Sequence, residues 1–109
     1  MKPIVTLTLN PSIDASCQAD TVHPIRKIRT SDERFDPGGG GINAARVIRE
    51  LGGEAVAVYF AGGSTGAALT EMIGAIGLPH RPIPIAGVTR ISHVVFERSS
   101  GNEYRFVPS

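Results

Sequence analysis

The segment Asp36-Pro37-Gly38-Gly39-Gly40-Gly41-Ile42-Asn43-Ala44-Ala45-Arg46 places a run of glycines directly before a helical pattern. Glycines let backbone N–H groups come close to a ligand. A helix N-terminus then favours an oxygen-rich or anionic group. Asn43 falls in the first turn, where its amide can both donate and accept. The glycines alone also fit a flexible turn with no ligand. Two familiar phosphate loops are disfavoured. A P-loop needs Gly-Lys-Ser/Thr, and no lysine follows these glycines. A dinucleotide fingerprint needs its helix directly after the first strand and an acidic residue after the next one. Here two polar segments separate Leu9 from the glycines, and Ala61 leads into Gly62-Gly63-Ser64.

Other reactive side chains offer little. Cys17 is the single cysteine and has no internal disulfide partner, which points to a reducing compartment. No activating group adjoins it. His23, His80 and His93 lack metal-ligand spacing and read as surface or loop histidines. Ser64 after Gly62-Gly63 superficially suggests a nucleophile elbow, but no triad order supports one and a helix cap is the simpler role. Met72 and Phe96 read as packing residues.

The elements that must position the glycine loop follow from periodicity. Ile4 to Leu9 reads as a strand ended by Asn10-Pro11-Ser12. Ala15 to Val22 and Lys27 to Phe35 read as two polar strands joined at His23-Pro24. A helix should run from about Ile42 to Leu51 with a broad apolar face of Ile42, Ala44, Ala45, Val47, Ile48 and Leu51, stopped by Gly52-Gly53. Ala55 to Ala61 reads as a strand buried on both faces. Ser64 should cap a second helix over Thr65 to Ile76, with Leu69, Met72, Ile73 and Ile76 as its stripe. Strand, helix, strand, helix implies a parallel sheet covered by helices. Arg90 to Glu97 and Glu103 to Val107 alternate around Ser99 to Asn102, a hairpin signal. The hairpin and the early polar strands are expected in a small separate antiparallel sheet. The open edge this leaves on the parallel sheet suggests part of a longer protein.

Composition narrows the class. The chain has 109 residues, one small domain's worth, with 41% apolar residues and a net charge of +1. That charge gives no global reason to expect a nucleic-acid or anionic-membrane partner. Met1 to Leu9 has no apolar core of signal-peptide length, and the longest apolar run, Ala55 to Ala61, is too short to span a bilayer. A cytoplasmic protein is expected.

The sequence resembles the PfkB group of carbohydrate kinases, which have the ribokinase-like fold. Three segments carry the likeness: Thr6-Leu7-Thr8-Leu9-Asn10-Pro11-Ser12-Ile13-Asp14; Pro37 to Arg46, continuing to Leu51-Gly52-Gly53 and Ala61-Gly62-Gly63; and Thr89-Arg90 with Tyr104-Arg105-Phe106-Val107. The resemblance implies a three-layer α/β/α core with a small antiparallel β lid, the lid strands lying within residues 15–35 and 90–107. It implies ATP-dependent phosphorylation of fructose-6-phosphate or a related phosphosugar. Family members acting on fructose-1-phosphate or tagatose-6-phosphate usually carry a lysine where this loop has Gly40, which favours the fructose-6-phosphate type.

The same resemblance implies roles. Asp14 would accept hydrogen bonds from sugar hydroxyls, and Gly39, Gly40 and Asn43 would hold the sugar from the loop side. Lys27, Arg29, Arg90 and Arg105 are candidates for the substrate's phosphate and the transferring phosphoryl. Arg26, Arg34, Arg81 and Arg98 are left as solvated charges. Lids of two subunits often pack together, so a homodimer is implied. ATP and Mg²⁺ belong to the reaction, but the family's catalytic aspartate sits in a Gly-x-Gly-Asp motif that this sequence does not contain. The 109 residues alone are therefore expected to be inactive. A sugar-binding or dimerisation module without catalysis is the competing expectation.

Overall fold

The computed structural model describes residues 3–109. A parallel sheet holds β1 (Ile4–Thr8), β4 (Ala55–Ala61) and β5 (His80–Pro84) in the order β1-β4-β5. A second sheet holds β2 (Ser12–Ala19), β3 (Thr30–Gly38), β6 (Arg90–Glu97) and β7 (Glu103–Phe106) in the order β3-β2-β6-β7. The separation into two sheets agrees with the sequence pattern. The second sheet is mixed, not antiparallel: β2 pairs β6 in parallel, with Ile13 beside Ile91 and Asp14 beside Ser92. Both strands enter this sheet from the same side, so they run the same way.

Helices α1 (Gly40–Glu50) and α2 (Gly63–Ala75) cover one face of the parallel sheet. Their buried residues Ile42, Ala45, Leu69 and Ile73 meet Ala55, Ala57 and Tyr59, the alternate residues of β4. The other residues of β4, Val56, Val58 and Phe60, are only half-buried, so the expected burial on both faces is not found among the described residues. Val5 and Leu7 on β1 are 65% and 57% exposed. The apolar face of α1 is narrower than expected. Val47, Leu51 and Ala44 lie outside the contact, because one sheet face touches only the stripe Ile42, Ala45 and Ile48. On α2, Ile76 is likewise exposed.

Several boundaries differ from the expectations. The early polar strands run over Ser12–Ala19 and Thr30–Gly38, each displaced by about a turn's length from the pattern. Pairing of Ser12 with Gly38 and Ala19 with Thr30 sets them, and pairing leaves no trace in a polar sequence. Pro37 and Gly38 thus end β3, and Gly40 and Gly41 open α1, leaving Gly39 alone as the hinge. Ser64 does not cap α2; its N-cap is Gly62, with no side-chain cap bond. β5 was not foreseen: two prolines obscure it, and as an outer strand of the sheet it tolerates them. His80 is not a loop residue. It opens β5, where its Nδ1 lies 2.8 Å from the Tyr59 hydroxyl and the rings stack. Burial pushes the Tyr59 phenol above its ordinary range, against a smaller opposing pull from Thr70.

Candidate functional site

Because β1, β4 and β5 are parallel, their carboxyl ends share one edge. Helices α1 and α2 begin there, and so do β2 and β6 of the second sheet. In open parallel sheets this edge is where ligands bind. Thr89 welds the two sheets at that point. It is buried, its hydroxyl accepts from the Gly62 N–H at 3.1 Å, and its own N–H donates to the Gly62 carbonyl at 3.0 Å. The Thr65 hydroxyl donates to the Thr89 carbonyl at 2.6 Å.

The glycine run performs the turn from β3 into α1. Gly39 sits at φ 131° and ψ 142°, a conformation closed to side chains with a Cβ. Its carbonyl accepts the first helical bond, from the Asn43 N–H at 2.9 Å. No side chain caps α1, so its first backbone N–H groups lack intrahelical partners. At Gly41 a Cβ would stand 2.5 Å from the Thr8 Oγ1, so the helix start rests directly on the end of β1. That Thr8 hydroxyl is buried and has no partner among the described residues. Gly40 is different: a Cβ there would meet nothing within 4 Å, so packing does not demand glycine. Asn43 and Gly40 are both exposed.

Asp14 stands near the start of β2 and is half-buried. The Ser12 hydroxyl donates to its Oδ1 at 2.6 Å. A Cβ at Gly38 would collide with the Asp14 carboxylate, so that glycine makes room for the acid. Asp14 lies between Asp36 on β3 and Ser92 on β6, while Ser12 lies between Gly38 and Arg90. Alternation puts Ser12, Asp14, Asp36, Arg90 and Ser92 on one face. Ser12, Ser92, Asp36 and Thr89 had no assigned role in the sequence reading. The period-2 pattern hinted at them, but their neighbourhood is set by register across three strands. Arg90 is half-buried; its Nη1 and Nη2 donate to the Pro108 and Asn10 carbonyls, each at 3.0 Å, and its buried Nε has no partner.

The remaining candidate cations do not gather around Asp14 within one copy of the chain. Arg105 shares the Asp14 face through its pairing with Val94, two residues along from Ser92, and is exposed with Glu103 Oε2 at 3.1 Å from its Nη2. Lys27 and Arg29 lie in the connection between β2 and β3, both exposed. That connection leaves the sheet after Ala19, roughly 16 Å along the strand from Asp14 at about 3.3 Å per residue. Within one copy of the chain they stand at the opposite end of the sheet. The strand boundaries explain this, since Lys27 and Arg29 precede β3 instead of lying in it.

Residues 7–109 match the family described as pfkB family carbohydrate kinase. The chain belongs to that family. Over 104 residues it is 49% identical to an ATP-dependent 6-phosphofructokinase isozyme 2 of Mycobacterium tuberculosis (strain H37Rv), covering 95% of this chain and 31% of that protein. Over 107 residues it is 41% identical to the isozyme 2 of Escherichia coli (strain K12), covering 98% of this chain and 35% of that one. The fold matches a crystal structure of phosphofructokinase-2 from Escherichia coli in complex with fructose-6-phosphate at a TM-score of 0.90, with 41% identity over 99% of this chain and 36% of that chain. The chain thus spans about a third of the length of the relatives it matches. The mixed α/β architecture is that of the ribokinase-like pfkB structures. Among the described residues no helix is long and apolar enough to cross a membrane, and no three His, Cys, Asp or Glu side chains gather as a metal group would require.

Proposed function

We propose that this chain holds the phosphosugar in an ATP-dependent sugar-phosphate kinase, with fructose-6-phosphate as the favoured substrate. One observation carries the reading. In a pfkB family chain, the Asp14 carboxylate and the uncapped start of α1 meet at the carboxyl edge of the parallel sheet. An acceptor-only carboxylate suits sugar hydroxyls. Gly39 and Asn43 would support the sugar from the helix side, and Arg90 would reach its phosphate. The open space at Gly40 fits the fructose-6-phosphate preference, since no lysine is present to add a charge there. The second sheet would act as the lid. ATP and Mg²⁺ supply the phosphoryl group and its charge stabilisation. The sequence has no Gly-x-Gly-Asp segment, and among the described residues no three His, Cys, Asp or Glu side chains gather. The setting proposed is the cytoplasm, in keeping with the single free cysteine.

A homodimer through the lid is part of this reading. The lid face opposite Asp14 carries Ala15, Cys17, Phe35, His93, Val95 and Phe106, and Phe35 and Phe106 are 64% and 59% exposed. Exposed apolar surface of this kind marks an interface. The test is a phosphoryl-transfer assay of the intact protein against fructose-6-phosphate, fructose-1-phosphate, tagatose-6-phosphate and fructose. ADP formation with the highest kcat/KM on fructose-6-phosphate is expected, and none from the 109 residues expressed alone. Sugar binding by the intact protein with no ADP formed would favour a binding module instead.

A further inference from the structure

Glu97 ends β6 at the end of the lid sheet away from Asp14, and it is 6% exposed. A carboxylate taken out of water needs partners. No cation pairs with it among the described residues. Its Oε2 accepts the Val22 N–H at 2.6 Å, and its Oε1 accepts the Ser100 hydroxyl. These bonds, that of Ser100 first, hold its carboxyl below the usual carboxylate range. Backbone bonds extend the same seam: Arg98 N–H donates to the Ala19 carbonyl at 2.9 Å and Ser99 N–H to the Asp20 carbonyl at 3.0 Å. The seam ends at Val22. Beyond it the chain leaves the sheet as an arm over residues 23–29, with Ile25 fully exposed at φ 74° and Lys27 and Arg29 exposed behind it.

We propose that Glu97 is a positioning residue: by fixing Val22 it sets where the arm leaves the sheet, and so where Lys27 and Arg29 are presented to a phosphosugar. The inference rests on the reading that these two cations serve the substrate's phosphate beside Arg90, which in the proposed homodimer means the site of the second copy, since within one copy they stand at the far end of the sheet from Asp14. The physical case is one of anchorage. β3 fixes the arm at Thr30, and the Val22 amide is the last fixed point before it. Releasing that amide frees two further residues at the root and spreads the cations over more positions. Neutral hydrogen bonding is enough for the latch, because an amide oxygen can accept the Val22 N–H as a carboxylate oxygen does.

The experiment uses the intact protein with Glu97→Ala, Glu97→Gln, the double variant Lys27→Ala/Arg29→Ala, and Glu97→Ala in that double background. Glu97→Ala is expected to raise KM for fructose-6-phosphate roughly three- to tenfold, with kcat and the KM for ATP nearly unchanged. Amide exchange in the peptide spanning Thr21–Arg29 should quicken in the same variant. Glu97→Gln should restore most of both. In the double background Glu97→Ala should add nothing, since its effect runs through the two cations. An equal loss in that background, or unaltered exchange of the arm, overturns the proposal while leaving the cation reading intact. A double variant that binds fructose-6-phosphate normally overturns the cation reading itself and this inference with it. If Glu97→Ala does not fold, Ser100→Ala, which removes one partner of the latch, carries the same comparison.

Discussion

At the residue scale, the proposed site divides between Asp14, for the sugar hydroxyls, and Arg90, for the phosphate. The Ser12 hydroxyl orients one carboxylate oxygen of Asp14 and leaves the other beside Gly38. Arg90 spends two donors on the Asn10 and Pro108 carbonyls, which fixes its guanidinium and leaves Nε without a partner. A fixed fork loses little freedom when it meets a phosphate. In the intact protein, Arg90→Ala should weaken binding of fructose-6-phosphate about tenfold to a hundredfold, from roughly 1.5–3 kcal/mol for a charged hydrogen bond. Binding of free fructose should change far less. Asp14→Ala should weaken both ligands, and Arg90→Lys should recover part of the first loss, because a point charge lacks the planar fork. Titration at fixed ionic strength checks this; an unchanged preference for the phosphosugar in Arg90→Ala would remove Arg90 from the phosphate.

At the element scale, the junction of β3 and α1 rests on a single glycine. Gly39 combines φ 131° with a close approach, since a Cβ would stand 2.6 Å from the Thr8 Cγ2. Gly39→Ala is expected to destabilise the intact protein by about 1–3 kcal/mol from backbone strain alone. Gly40 is already helical and faces open space, so Gly40→Ala should be neutral or stabilising by up to about 1 kcal/mol. Denaturant melts of the two variants separate these outcomes. Equal losses would mean that the four glycines act as a flexible run and not as one hinge. The periodicity of α1, β4 and α2 was legible because each buries an apolar stripe. The second sheet was harder to read: β2 alternates Ser12, Asp14, Ser16 and Gln18 with Ile13, Ala15, Cys17 and Ala19, but β3 is charged along most of its length and its register against β2 shifts between Ser16 and Gln18.

At the scale of the whole molecule, the Cα radius of gyration is 15.9 Å, against about 13 Å for a compact domain of this length. The excess comes from two sheets joined at one edge, each with a bare apolar face. Val5 and Leu7 mark that face on the parallel sheet, and Phe35 and Phe106 mark it on the second sheet. Parallel sheets are covered on both faces in stable folds. The lid face is proposed to meet a second copy. Phe35→Glu should shift the intact protein from dimer to monomer, because a charge buried there has no partner. Sedimentation velocity across a wide concentration range measures it. A wild-type protein that stays monomeric throughout would remove the lid interface from the reading.

The sequence by itself determined the class of fold, the helix behind the glycines, the presence of a second sheet and the pfkB likeness, because periodicity and glycine placement are local properties of the chain. Tertiary structure decided which polar residues are neighbours. Ser12, Asp36 and Ser92 flank Asp14, while Lys27 and Arg29 stand at the far end of the same sheet. The parallel run of β2 beside β6 and the buried Glu97 latch were decided there too. Register is an agreement between strands distant in sequence. A one-residue slip turns every side chain to the other face, and no polar strand states its own register.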